Sequence, residues 1–215
     1  MPRHAHEDAL SEAEFEQLVD GAKLLEPPLN LEALFTVFVA GRLGLRAGEI
    51  AHMTREWINY ETEMIEIPRH SECECGYCRR QARREVEHDP SRSFERQLRQ
   101  RWNPKTPAAA RAVPFDYSER VKNVVLAFFE FYDAYPVGVN MVSSRLEAAA
   151  ALGELLDRRL YPHCLRATAA THHAYNGLGV PALQAMMGWA SVRTAQKYIR
   201  LTGSRTKQAL QRVYN

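Results

Sequence analysis

Hydrophobic positions along the chain recur mostly at helical spacing. Phe15, Leu18 and Val19 share one side of a run opened by Ser11-Glu12-Ala13-Glu14, which has the form of a capping box. Pro27-Pro28 end that run, and Asn30 is placed to cap the next one, through LEALFTVFVAGRL, until Gly44 breaks it. Another helix starts over residues 46–53. From Trp57 to Ile67 the period shortens to alternation, with Trp57 and Ile58, then Met64, Ile65 and Ile67, around polar Asn59–Glu63, and this predicts a hairpin. Residues 110–115 return as a third strand, stopped by Pro114. Asp116 and Glu119 then open a long amphipathic helix through Val121, Val124, Val125, Phe128 and Phe131. Further helices are predicted over 139–157, 163–176, 180–187 and 191–201, with a last short basic one over 204–214. Gly177 and Gly179 stand where a helix C-terminus favours positive φ. Residues 68–104 are the exception, rich in Arg, Glu and Cys with few apolar positions. There is no internal repeat and no low-complexity tract. The expected class is α+β, mostly α, with one small antiparallel sheet.

Composition narrows the picture. The chain has 215 residues, of which 46% are hydrophobic and 25% charged, enough for a buried core and unlike a disordered chain. Net charge is only +2, but it is segregated. Residues 7–34 carry eight acids against Lys23 alone, whereas residues 69–111 carry eleven basic residues against six acids. From Arg158 to Asn215 there are nine Lys or Arg and no Asp or Glu. A surface so one-sided suits a polyanion, double-stranded nucleic acid above all. No apolar run approaches the roughly 18 residues of a membrane span, and the N-terminus lacks a signal-peptide pattern. The expected compartment is therefore cytoplasmic, where the four Cys serve as thiols or ligands more often than as disulfides.

Within the basic C-terminal stretch, His163 and Arg166 lie three apart at the start of a helical run and so share one face. The full stretch contains H-C-L-R and then M-G-W-A-S-V-R-T-A-Q-K-Y, with Tyr198 nine residues after Trp189 and Thr194 four before Tyr198. This order and spacing resemble the C-terminal half of the tyrosine recombinase (phage integrase) catalytic domain, whose pattern is H-x-x-R, then L-G-[HW], then a Tyr in a T-x-x-x-Y context. Upstream, G-L-R-A-G-E is similar to that family's first arginine box, with Glu49 three residues after Arg46. The resemblance covers about residues 8–202. It implies the DNA breaking–rejoining fold over residues 10–202, with a flexible 1–9 segment before it and a basic 203–215 tail that packs on a neighbouring protomer.

The resemblance also implies roles. A phosphodiester repels nucleophiles, and an enzyme without a catalytic metal must neutralise it with fixed cations. Arg suits this, since its fork bonds two phosphate oxygens and never deprotonates. Arg46 and Arg166 take that part. Tyr198 is the nucleophile that forms a 3′-phosphotyrosyl bond, and His163 handles its proton or donates to the phosphate. Trp189 stands where most members carry His; an indole donates one hydrogen bond but moves no proton. Lys105, in N-P-K-T-P-A-A-A-R-A-V-P-F, resembles the family's general acid from the turn between two strands. Its partner is double-stranded DNA, gripped by a homo-oligomer, a tetramer on DNA, and neither ATP nor a catalytic cofactor is required. Family members usually carry an N-terminal helical domain, whereas this chain is expected to begin at the catalytic domain. The same residues fit two other readings, a type IB topoisomerase-like nicking and closing enzyme and a catalytically inactive DNA-binding module.

The cysteines lie in the departure from the family pattern. Cys73-x-Cys75-x-x-Cys78 with His70 just before provides four ligands suited to a structural zinc, His88 being an alternative fourth. Three free thiols in a loop are the other reading, because C-x-C-x-x-C is not a standard paired spacing. Cys164 reads as a small buried residue, and His172 and His173 as space-filling side chains.

Overall fold

A helix that is apolar on every side must be surrounded, and Leu29–Gly41 is such a helix, with Ala33, Phe35 and every residue from Thr36 to Gly41 buried. The structure, a computed structural model, describes residues 8–155, 160–199 and 211. Its elements run α1 (Glu12–Lys23), α2 (Leu29–Gly41), α3 (Ala47–Ile50), β1 (Ile58–Asn59), β2 (Met64–Ile67), α4 (Gly76–His88), α5 (Phe94–Arg99), β3 (Arg111–Pro114), α6 (Glu119–Phe131), α7 (Val139–Leu152), α8 (Pro162–Tyr175), α9 (Val180–Met187) and α10 (Val192–Gln196). The strands form one antiparallel sheet in the order β1-β2-β3, with Ile65 opposite Ile58 on one side and Val113 on the other. The mostly helical α+β class is therefore the fold of the chain. Among the described residues, no helix is long and apolar enough to cross a membrane.

Helices α1, α6, α7 and α8 surround α2. Phe35 stacks on Phe128 of α6 at 3.7 Å between ring centres and meets Phe129 edge-on at 5.6 Å. Truncating Phe35 to Ala would cost about 3–5 kcal/mol, the usual effect of emptying a core aromatic site. The one acid on α2, Glu32, is buried but satisfied, accepting from Arg145 Nε at 2.7 Å and the Tyr132 hydroxyl at 3.0 Å. Helix α1 crosses α7 at glycine: a Cβ on Gly21 would sit 2.0 Å from the Ala149 carbonyl oxygen. Only a residue without a side chain permits that approach.

Several expectations need correction. Asn30 does not cap α2, because the helix already begins at Leu29 behind Pro28, whose restricted φ suits a helix start. Ser118 rather than Asp116 precedes α6, whose buried stripe takes in Phe129 and leaves Phe131, at the stripe's edge, 78% exposed. Helix α7 stops at Leu152, short of residue 157, where Gly153 packs against α1. Gly177 has φ +91°, as expected, but Gly179 is the N-cap of α9 with φ −68°. Residues 68–104 hold two helices, α4 and α5, on very few buried apolar side chains. The helix expected over 191–201 ends at Gln196, so Tyr198 lies in the turn after α10; Ala195 is buried as expected, while Val192 is 46% exposed. The tail 203–215, including the helix expected at 204–214, falls outside the described residues apart from position 211.

Candidate active site

The C-terminus of α9 organises the site. A helix end leaves its last carbonyls without intrahelical partners and carries partial negative charge. Here three successive carbonyls each accept from a different arginine. Met186 O accepts from Arg111 Nε at 2.6 Å, Met187 O accepts from Arg166 Nη2, and Gly188 O accepts from Arg46 Nη2 at 3.0 Å. Gly188 makes this possible by ending α9 in the left-handed region, φ +59° and ψ +46°. A Cβ there would lie 2.8 Å from Ala108 O and 2.9 Å from Arg111 Cδ.

Arg166 projects from α8, one of the most deeply packed helices, and is itself only 4% exposed. Its other anchor is Gly44 O, in the turn that links α2 to α3. Burial, then the charge of Arg46, pulls its pKa down to about 9, against Glu49 and Tyr198, so it stays cationic at neutral pH. Arg46 precedes α3, and Glu49 closes back on it, accepting from Arg46 N at 2.9 Å and Nη1 at 2.7 Å. Glu49 is 1% exposed and also takes a two-pronged bond from Arg111, 3.1 Å at each oxygen. Burial pushes its carboxyl up, but Arg111, Arg46 and Arg166 outweigh that and hold it below the ordinary carboxylate value. Each guanidinium has five N–H groups, more than these anchors use among the described residues.

Trp189 directly follows Gly188, and Gln184 Nε2 donates to its carbonyl at 3.1 Å. Its ring stacks on that of Tyr198, 5.2 Å between centres and 13° from parallel, while Arg166 Cζ lies 5.8 Å from the Trp189 ring centre. Burial raises the Tyr198 phenol above its ordinary value, and Arg166 opposes that shift. His163, in the first turn of α8, is held below 6.5 by partial desolvation and then by the charges of Arg166, Arg46 and Lys105. Lys105 sits exposed in the long connection between β2 and β3, just ahead of β3. Of the six predicted residues, Arg46, Arg166, Trp189 and Tyr198 meet at the end of α9 through hydrogen bonds and ring contacts, and the charges of Arg166, Arg46 and Lys105 reach His163.

Arg111 was not among the predicted site residues. A single arginine in an otherwise apolar strand is the signal that could have found it. His172 and His173 have structural partners, Glu12 Oε2 at 3.2 Å and Arg42 O at 2.7 Å. Cys164 is buried, with its thiol donating to Asp8 O at 2.9 Å.

A second cluster lies beside α3. His52, Cys73, Cys75 and Cys78 present ligand atoms all within 4.8 Å of one another. His70, the predicted fourth ligand, is not among them. It is exposed, with Nδ1 3.2 Å from Asn103 Oδ1, on the stretch just before the chain turns in to pair with residues 101–102. His88 is exposed at the far end of α4, a full helix length from Cys75 at its N-cap.

A mostly helical domain with a small antiparallel sheet, closing on guanidiniums, an imidazole and a phenol, has the architecture of a tyrosine recombinase catalytic domain. The model of the phage integrase family matches residues 8–205, and the chain belongs to that family. Solved structures agree on the fold. The crystal structure of XerA recombinase aligns with TM-score 0.63 and 18% identity over 96% of this chain and 65% of that one. The Tn1549 transposon integrase in complex with circular intermediate DNA aligns with TM-score 0.65 and 16% identity, over 95% of this chain and 66% of that one. The catalytic domain of bacteriophage HP1 integrase aligns with TM-score 0.56 and 15% identity, covering 94% and 93%. The chain spans about two thirds of the length of the first two. No curated protein sequence matches it.

Proposed function

We propose that the protein is a site-specific DNA recombinase that breaks and rejoins double-stranded DNA through a phosphotyrosyl bond on Tyr198, with residues 10–202 as the catalytic unit. The observation that carries this reading is the stack of Tyr198 on Trp189 with the anchored guanidinium of Arg166 beside it. A phenol is a weak nucleophile near neutral pH and needs neighbouring cations and a proton acceptor. Arg166 supplies the first, and His163, held neutral by its surroundings, supplies the second.

In the proposed step the phenolic oxygen of Tyr198 attacks the phosphorus and passes its proton to His163. The bond from phosphorus to the 5′-oxygen breaks, and that oxygen takes a proton from Lys105. The 3′-phosphotyrosyl linkage keeps the phosphodiester's energy, so attack by a second 5′-hydroxyl restores a DNA strand without ATP. Arg46 and Arg166 bond the non-bridging oxygens as negative charge builds, and their anchoring on α9 means little reorganisation is required. Trp189 packs behind the phenol and leaves proton handling to His163. Exchange of strands between two duplexes calls for several copies of the chain, and a tetramer on DNA is the assembly this reading entails. The Tn1549 integrase solved with circular intermediate DNA lends support to DNA as the partner.

A nicked duplex that loses its 5′-hydroxyl fragment after cleavage tests the proposal. The wild type should accumulate a covalent protein–DNA adduct and Tyr198→Phe none. An adduct in the phenylalanine variant would assign the nucleophile elsewhere, and none in either protein would leave a DNA-binding module. Relaxation of supercoils without strand exchange would instead mark a nicking and closing enzyme.

A further inference from the structure

Residues 68–110 face a physical problem. Their buried apolar side chains, among the described residues, are Cys78, Ala82, Leu98, Trp102 and Ala109, too few to hold two helices in place. What holds them lies at the N-terminus of α4. Cys75 is the N-cap, Cys78 is buried in the first turn, and Cys73 stands just ahead, with its N–H bonded to Arg101 O at 2.9 Å. The fourth member, His52, comes from the other side of the sheet in sequence, just after α3.

The geometry points to a structural zinc site formed by His52, Cys73, Cys75 and Cys78. From ordinary Zn–S and Zn–N bond lengths, a tetrahedral site separates a sulfur from a nitrogen by about 3.5 Å. His52 Nε2 lies 3.5 Å from Cys75 Sγ and 3.4 Å from Cys78 Sγ. The tautomer fits as well. Nδ1 of His52 is 2.6 Å from Gly48 O, and a carbonyl only accepts, so Nδ1 carries the hydrogen. In the neutral ring Nε2 is then a bare lone pair aimed at the sulfurs, oriented by an outer hydrogen bond as metal-bound histidines usually are. The ring is further fixed by stacking on Trp102, 5.2 Å between centres and 17° from parallel. His52 is 6% exposed, and its only hydrogen-bonding neighbours at Nε2 among the described residues are thiols.

Three thiolates and one imidazole make a closed four-coordinate set with no position left for substrate, so the site is structural. It ties α4 to the segment that follows Arg46 and Glu49, and through the paired residues 71–73 and 101–102 it braces the approach to Lys105. The metal site itself does not depend on the recombinase reading, because none of its ligands is a residue given a part in cleavage.

Elemental analysis of the intact protein, with cobalt(II) substitution, tests it. One zinc per chain is expected, and the cobalt form should show thiolate-to-metal charge transfer and the intense ligand-field bands of a tetrahedral site. Cys78→Ser and His52→Ala should each lose metal, while His70→Ala keeps it. Since the buried substitutions risk misfolding, His52→Cys is the deciding variant: it should retain one metal and shift the cobalt bands toward a four-thiolate spectrum. Metal well below one per chain, loss of metal in His70→Ala, or unchanged cobalt bands in His52→Cys would each overturn the assignment.

Discussion

The arginine cluster at the end of α9 and the histidine–cysteine cluster beside α3 fix reactive side chains by opposite means. In the first, backbone does the fixing. Three carbonyls of a helix end and the buried carboxylate of Glu49 hold three guanidiniums, and well-packed helices hold the carbonyls. In the second, side chains converge from separate segments on a point where few apolar groups are buried. The difference teaches where stability comes from in each. The arginine cluster draws on the core, so damage to it is felt in chemistry and in folding alike. The other region, on the proposed zinc site, draws on that site's four side chains and would loosen while the core stays intact.

Breaking the first region should produce the largest effects. Arg166→Ala is expected to slow single-turnover cleavage of a nicked duplex by about 10²–10³-fold, the scale of removing one preorganised donor to a developing oxyanion. Glu49→Ala leaves Arg111 and Arg46 without their buried counter-charge and should cost about 3–5 kcal/mol in urea unfolding. Gly188→Ala puts a Cβ against Ala108 O at positive φ, and a loss of about 1–3 kcal/mol is expected, with cleavage reduced because the carbonyls that seat Arg46 and Arg166 shift.

Smaller effects sharpen the contrast. Stripping metal from the proposed zinc site should speed proteolysis within residues 68–104 and slow cleavage through a loosened Lys105, with the core's urea midpoint almost unmoved. Equal loss of stability across the whole chain would show that the two regions are not separable. The pH profile gives the finest test. His163 is held below 6.5, so as proton acceptor it stays neutral on mild acidification, and cleavage should fall only once the pH passes below the ordinary imidazole value. A fall centred above 6.5 would mean that another group sets the limb.

The two regions also differed in how much of each could be read from sequence. Arg46, His163, Arg166, Trp189 and Tyr198 were legible because their motifs resemble a known family's, and the structure brings Arg46, Arg166, Trp189 and Tyr198 together at the end of α9. Arg111 escaped, since its role depends on which carbonyl lies across from β3, and that is a matter of tertiary packing. In the cysteine segment the three thiols were legible but the histidine was not. His70 is near in sequence and His52 near in space, and the β1–β2 hairpin between them reverses that order. The helix predicted through Tyr198 fell short because exposed Gln196 and Lys197 give no packing to extend α10.

The central claim is that Arg46 and Arg166 act by neutralising a phosphate that Tyr198 attacks. Cleavage of a duplex carrying a single uncharged methylphosphonate at the scissile position measures this directly. Arg46→Ala and Arg166→Ala should recover most of their lost activity on that substrate, and Tyr198→Phe none. Arginine variants that remain as slow on the neutral linkage as on the charged one would contradict the claim.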